Sequence, residues 1–476
     1  MLLLALIPLF ALPSPSTSQQ IGTYNRESHP SLSWTHCAAA NTCSPVNGSL
    51  TVDQRKRWLH PVDNYSDCHW FGSYDWNPRF CNTTEVCTDI CALDGADYRP
   101  NNGLGASFAN TSVTLAAHTW KDFQTNVGLR FFLLDSSSES ESPKLYQTFT
   151  LLGNEFTFTV NFTATGCGIN SGLTFVEMDA DGGMAKYPTN KAGAEYGTGH
   201  CDSKCSRTHL FVGGKANLEN WTPSEVDPAL GEGRYGACCP EFSVWNSNRR
   251  SYSFGSHLCS GNGYTICEGE EGCAVSDGAD VAKTRCDAVG CGYNPYQMGD
   301  RDFYGEGKKV DTMRPFTVVT RFEAERVYQI FVQDGKRIDT PPPSWDGLPK
   351  EGGISKEMCS KSAEVFGEPD RFGAKGGWDA HVDMLKRPMV LALSINPDVS
   401  PFPPWYTEDA DICSQFETGN SWLDSVHPKG ADTSKPGVAR GDCPTDGPWE
   451  VFAAYRNAKV TWSNLRFGPI GSTIDL

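Results

Sequence analysis

The sequence predicts an all-β protein, a sandwich of antiparallel sheets. Three observations carry this. Short apolar/polar alternations recur along the chain; clusters of Gly, Asn, Asp and Pro separate them; no helical heptad or fixed-period repeat stands out. The clearest alternation runs over residues 156–162. Phe156, Phe158, Val160 and Phe162 share one parity, and Thr157, Thr159 and Asn161 share the other. That is the period-two pattern of a half-buried strand. Similar strands are expected at 129–134, 149–152, 172–178, 316–322, 327–333 and 390–395. The polar stretch 136–142 reads as an exposed hairpin, and Pro341 to Pro343 and residues 396–404 read as loops.

Composition bounds the function. The chain has 476 residues, 40 Lys+Arg against 57 Asp+Glu, and a formal net charge of -17. A length that would hold two or three average domains also suits one large sandwich. The acidic balance excludes nucleic acid as a partner, because binding phosphates takes clustered Lys and Arg. A neutral sugar polymer fits better. Thirteen Trp and 16 Tyr supply flat rings of the kind that stack on sugars, although most belong to a core.

The chain opens with an apolar run over residues 2–12, too short to span a bilayer. Ser16 and Ser18 follow, at a spacing that suits cleavage before Gln19. Residues 1–18 therefore read as a signal peptide and 19–476 as the mature, secreted chain. No later apolar run reaches membrane length, and no Ser/Thr/Pro linker near the C-terminus announces a separate binding module. Nineteen cysteines at irregular spacing, without zinc-ribbon pairs, read as disulfides with one thiol left over. Cys201 and Cys205, with the Cys238–Cys239 pair, suggest neighbouring strands stapled together. Asn47, Asn64, Asn82, Asn110, Asn161 and Asn220 head glycosylation sequons. Asp179 and Asp181 fix a loop; no metal or other cofactor is expected.

The segment Cys238-Cys239-Pro240-Glu241-Phe242-Ser243-Val244-Trp245-Asn246 resembles the catalytic strand of glycoside hydrolase family 7, whose pattern is Cys-Cys-x-Glu-x-Asp-x-x-Glu. The resemblance extends over nearly the whole mature chain, through segments 146–156, 178–183, 186–190, 196–199 and 467–473. It implies a β-jelly-roll sandwich of two large antiparallel sheets, with long loops covering a glycan groove. The partner it implies is a β-1,4-glucan chain, cellulose or a related plant or algal polysaccharide, bound by a monomer. It also implies the pairs Cys37–Cys43, Cys68–Cys91, Cys81–Cys87, Cys167–Cys443, Cys201–Cys239, Cys205–Cys238, Cys259–Cys286, Cys267–Cys273 and Cys291–Cys359, leaving Cys413 alone. The spacing from Cys205 to Cys238 is similar to that of the long-loop cellobiohydrolases rather than the open endoglucanases.

A retaining glycosidase uses two carboxyl groups about 5–5.5 Å apart. By the resemblance, Glu241 is the nucleophile, Ser243 replaces a helper Asp, and Asn246 replaces the acid/base Glu. Positions 241 and 243 share a face of a strand, so 246 must turn back toward the cleft at an irregular strand end. Asn neither gives a proton to a glycosidic oxygen nor activates water, and general acid–base catalysis is typically worth about 10²–10⁴-fold. Ser243 can still hydrogen-bond Glu241. Substitute acids available by composition are Asp202, Glu232, Asp398, Glu408, Asp409 and Asp411. Trp58, at a tunnel entrance, and Arg130, Asn170, Asp202, His257, Trp422 and Arg440 match substrate-cleft residues. Lys56 and Asn396 replace stacking Trp residues and Thr174 a Tyr. Val281, Val289, Gly292 and Gln297 replace charged residues on the product side. Within the insertion 396–420, Trp405 or Tyr406 offers a compensating platform. The expected activity is retaining hydrolysis of β-1,4-glucosidic bonds, weakened or lost. The alternatives are a non-catalytic glucan-binding protein and an extracellular structural glycoprotein.

Overall fold

The computed structural model describes residues 19–69, 75–100, 102–121, 124–136, 144–223, 231–273, 283–397, 422–428, 430–443 and 457–474. Two sheets dominate. Their strands are β1 (Trp34–Ala39), β2 (Thr42–Val46), β3 (Gly48–Val52), β4 (Ala106–Ala109), β5 (Ser112–Ala116) and β6 (Leu129–Asp135). Next come β7 (Thr148–Phe149), β8 (Asn154–Thr163), β9 (Ile169–Val176), β10 (Glu241–Ser247), β11 (Tyr252–His257) and β12 (Cys291–Tyr293). The last are β13 (Phe316–Phe322), β14 (Arg326–Gln333), β15 (Lys336–Asp339), β16 (Ile354–Ser355), β17 (Met389–Pro397) and β18 (Lys459–Pro469). An eight-stranded sheet has the order β12-β11-β10-β9-β17-β6-β3, with β7 beside β17. A ten-stranded sheet has the order β15-β14-β13-β8-β18-β1-β2, with β16, β5 and β4 alongside. Among the described residues, the one parallel pairing within these two sheets joins β1 to β18.

The expected strands are all present except that residues 149–152 contribute only the end of β7. The strand expected to reach Met178 stops at Val176. Asn396 lies inside β17 rather than in a loop, because it pairs with Asn170 of β9. Pro341 to Pro343 form a loop as expected. The rest of the 396–420 insertion, with Trp405, Tyr406, Cys413, Asp398, Glu408, Asp409 and Asp411, lies outside the described residues. So do residues 1–18, Val281 and most of the 136–142 stretch.

The core sits between the sheets. Phe131, Leu133, Leu173, Phe175, Phe242 and Trp245 come from one side, and Phe156, Phe158, Val160, Val318, Phe331 and Trp462 from the other, in one buried cluster. Each such side chain contributes about 1.5–3 kcal/mol when taken fully out of water. The alternate residues Phe132, Leu134 and Val176 point to the opposite face. There they are covered by Tyr146, Met178, Ala237 and Tyr264 in a second cluster. Part of the eight-stranded sheet is therefore buried on both faces, and the part left open carries the groove.

Short helices, not signalled by periodicity, flank the sheets. The first, α1 (Thr84–Ile90), is capped by Thr83, whose hydroxyl accepts from the Val86 N–H. The second, α2 (Lys356–Phe366), is capped by Ser355 and ends at Gly367, where φ is 69°. Further helices are α3 (Arg371–Ala374), α4 (Gly377–Leu385) and a single turn at Gly269–Gly272. No helix among the described residues is long and apolar enough to cross a membrane. All nine disulfides expected from the resemblance are formed. The six sequon asparagines are all exposed.

Candidate functional site

Strand β10 builds the floor of the site. Phe242, Val244 and Trp245 all enter the core. Two consecutive inward residues break the alternation, and the register shows how. Ser243 pairs with Gly255 but Asn246 with Ser253, so β10 carries one residue more than β11 over this stretch. The same slip appears against β9, where Thr174 pairs with Ser243 and Leu173 with Trp245. This β-bulge re-aims the side chains beyond it. Glu241, Ser243 and Asn246 all line the same groove as a result. The turn back of position 246 expected from the sequence is thus a bulge inside the strand, driven by burial of both Val244 and Trp245.

The groove encloses about 490 Å³. Arg130, Asn170, Asp202, His257, Trp422 and Arg440 line it together with those three residues. So do Thr174, Val289, Gly292, Gln297 and Asn396, the positions where the resemblance loses rings or charges. A second hollow of about 960 Å³ lies elsewhere, among Glu27, His29, Asn47 and Asn110. Its buried acid Glu27 is engaged by Arg57 at 2.6 Å and His29 at 3.2 Å.

Glu241 accepts a 2.6 Å hydrogen bond from the Ser203 hydroxyl. The hydroxyl that holds the carboxylate is therefore Ser203's, where the sequence pointed to Ser243. Ser203 reaches it because Cys201–Cys239 and Cys205–Cys238 staple residues 201–205 against the start of β10, and Asp202 forms an isolated parallel bridge with Cys238. Burial pushes the Glu241 carboxyl above its ordinary value, against the opposing pull of the Ser203 hydroxyl and the Lys204 ammonium. Asp202 is also pushed up, first by burial and then by the Glu241 charge. Sequence reasoning passed over Ser203 and Lys204. Their position between two disulfide cysteines was the available signal.

On the groove wall, Asn170 Nδ2 donates to Asn246 Oδ1 at 3.4 Å. Arg130 Nη1 donates to Asp53 Oδ2 at 3.0 Å and lies 3.0 Å from His200 Nδ1. Burial, and then the Arg130 charge, drive the His200 ring well below its usual value, so it stays neutral and accepts. The Arg440 guanidinium lies 3.1 Å from the centre of the Trp422 ring. It covers one face of a ring that is 39% exposed and that also packs on His427, ring centres 5.0 Å apart. Residues Ser362, Phe366, Glu368, Asp370 and Phe372, from α2, α3 and the turn between them, complete the wall. The sequence carried no signal for their placement.

Three residues named from the sequence stand apart from this groove. Trp58 is not among the groove-lining residues; it packs on Tyr24, His60 and Tyr65 and donates to Asp67 at 2.7 Å. Lys56 bonds Asn126 and the Val127 carbonyl, each at 2.8 Å. Glu232 is exposed and paired with Arg207, away from the groove. Cys68, Cys81 and Cys91, and likewise Cys205, Cys238 and Cys267, lie close enough to suggest metal clusters. Each of these cysteines is already in a disulfide.

The model of glycosyl hydrolase family 7 matches residues 21–474. A family 7 cellobiohydrolase from Daphnia pulex superposes with a TM-score of 0.86 at 36% identity, covering 96% of this chain and 100% of that one. A cellobiohydrolase from Melanocarpus albomyces, complexed with cellotetraose, has a TM-score of 0.85 at 44% identity, with the same coverage. The Humicola insolens endocellulase EGI has a TM-score of 0.72 at 28% identity, again with 96% and 100% covered. The likeness is thus greater to these cellobiohydrolases than to this endocellulase, in the direction that the Cys205–Cys238 spacing suggested. With its fold, nine disulfides and bulged strand, the chain belongs to glycosyl hydrolase family 7.

Proposed function

We propose that this protein binds a single β-1,4-glucan chain in the groove and hydrolyses it with retention, slowly, through Glu241. The observation that carries this reading is the Glu241 carboxylate. It stands in the groove on a disulfide-stapled strand, held by Ser203, among Arg130, Asp202, Trp422 and Arg440, which suit sugar hydroxyls and an apolar sugar face. The low rate follows from the amide at position 246 and the hydroxyl at 243. The positions that lack rings and charges, Thr174, Asn396 and Val289, weaken the grip further, at about 1–3 kcal/mol per lost contact. Exposed sequons and nine disulfides fit a secreted, glycosylated chain acting outside the cell as a monomer.

A second reading has its own support. Asn246 and Ser243 both stand on the floor where proton-transfer groups would be, which favours a glucan-binding protein without turnover. Soluble sugar release from amorphous cellulose by the purified protein separates the two. We expect cellobiose in the wild type and none in Glu241→Ala. Equal release from both proteins, or none from either, would favour binding alone.

A further inference from the structure

We propose that His257, backed by Asp287, is the proton donor and acceptor of this site, in place of a carboxyl at position 246. This rests on the hydrolase reading above.

Register carries the argument. In the β10–β11 ladder, Glu241 pairs directly with His257. Directly opposed residues place their Cβ atoms about 4.5–5.5 Å apart on one face, and both side chains line the groove. A retaining reaction needs its two groups close together, and these two side chains enter the groove from directly opposed positions on adjacent strands.

The ring is also backed as a proton-transfer group is. The 287–290 turn closes on its Nδ1 side: a Cβ at Gly290, where φ is +73°, would lie 2.6 Å from Nδ1. Nδ1 is buried and lacks a well-aligned hydrogen bond. It faces the Asp287–Ala288 backbone, and the Asp287 carboxylate is near enough for its charge to act on the ring. Asp287 is held by the N–H groups of Val289 and Gly290, at 3.1 and 2.8 Å on Oδ1, while its buried Oδ2 has no partner. Backbone against Nδ1 leaves Nε2 as the nitrogen for the groove, and the Asp287 charge stabilises the charged ring. Lys204 from the stapled loop opposes that charge, and Arg371 pulls on Asp287 from α3. Asp287 in turn acts on Lys375 at the end of α3. Burial outweighs Asp287, so the His257 pKa lies below its ordinary value.

In the first step, a Glu241 oxygen attacks the anomeric carbon and the bond to the leaving oxygen breaks. The electron pair goes to that oxygen, which takes the Nε2 proton. A glycosyl ester, a free hydroxyl and neutral His257 result. In the second step, Nε2 takes a proton from water as the water oxygen attacks the same carbon. The ester bond breaks, its electrons return to Glu241, and the imidazolium is restored.

The pH profile follows. Turnover falls as pH rises through the His257 pKa, which is below 6.5. It also falls as pH drops through that of Glu241, which is above 4.5. The test uses the full secreted chain, amorphous cellulose, and 2,4-dinitrophenyl β-cellobioside, whose leaving group needs no proton. We expect His257→Gln to lower sugar release from cellulose by about 100-fold or more and to erase the alkaline limb. Loss of dinitrophenolate in the first turnover should fall far less, and adduct on Glu241 by intact mass shows that the variant is folded. Asp287→Asn should move the alkaline limb to lower pH. An unchanged limb in His257→Gln, or its loss in Asp202→Asn instead, overturns the assignment to His257. Wild-type labelling of Glu241 without any sugar from cellulose overturns it too but leaves glucan binding standing. Neither labelling nor release would overturn the hydrolase reading as well.

Discussion

The two faces of strand β10 follow different rules. Its inner face, Phe242, Val244 and Trp245, is fully buried and apolar, and Trp245 stacks on Tyr252 with ring centres 5.2 Å apart. Its outer face, Glu241, Ser243 and Asn246, lines the groove and is where the chain departs from the residues its family resemblance implies. The inner face keeps the bulge, and the bulge keeps position 246 in the groove whatever side chain it carries. Geometry and chemistry are therefore separable here. Core packing fixes the shape of such a site whatever side chains its open face carries, because packing is read from the buried face alone.

Three experiments sharpen this contrast. The largest effect is expected from Asn246→Glu combined with Ser243→Asp, which restores both carboxyls without touching the core. Sugar release from β-1,4-glucan should rise by about 10²–10⁴-fold. No gain would show that the groove, rather than the floor, limits turnover. Trp245→Ala breaks the other face. It should cost about 3–5 kcal/mol of stability, read as a shift in the midpoint of chemical unfolding. A smaller loss would mean that neighbouring rings refill the space. The smallest effect is expected from Ser203→Ala, which removes the hydroxyl that opposes burial at Glu241. The Glu241 pKa should rise further, so the acid limb of the activity profile moves to higher pH, at a cost near 1 kcal/mol for one hydrogen bond. A limb that stays in place would show that the Lys204 and Arg130 charges and the Ser203 backbone suffice to hold the carboxylate ionised.

Much of the fold was legible because strand formation is local. Phe156, Phe158 and Val160 alternate with Thr157 and Thr159, and that parity alone selects the buried face of β8. The helices were not legible. α2 owes its place to the Ser355 cap and to the Cys291–Cys359 bond, and only the cap is written locally. Within the site, Glu241 was legible from its motif, and Arg130, Asp202 and Arg440 by position in the resemblance. Trp58, which the resemblance matches to a tunnel entrance, packs on Tyr24 and Tyr65 and donates to Asp67.

The sequence by itself determined the sandwich class, the family and, through the resemblance, all nine disulfide pairs. It also determined that position 246 carries no acid. Those are properties of residue identity and short-range order. Tertiary structure alone decided which hydroxyl holds Glu241, that Val244 and Trp245 share the core, and that His257 stands across from Glu241. Each of these depends on the register between strands and on the closure of stapled loops. Register is set by the packing of a whole face at once, because a slip of one residue would turn every side chain of that strand to the wrong side.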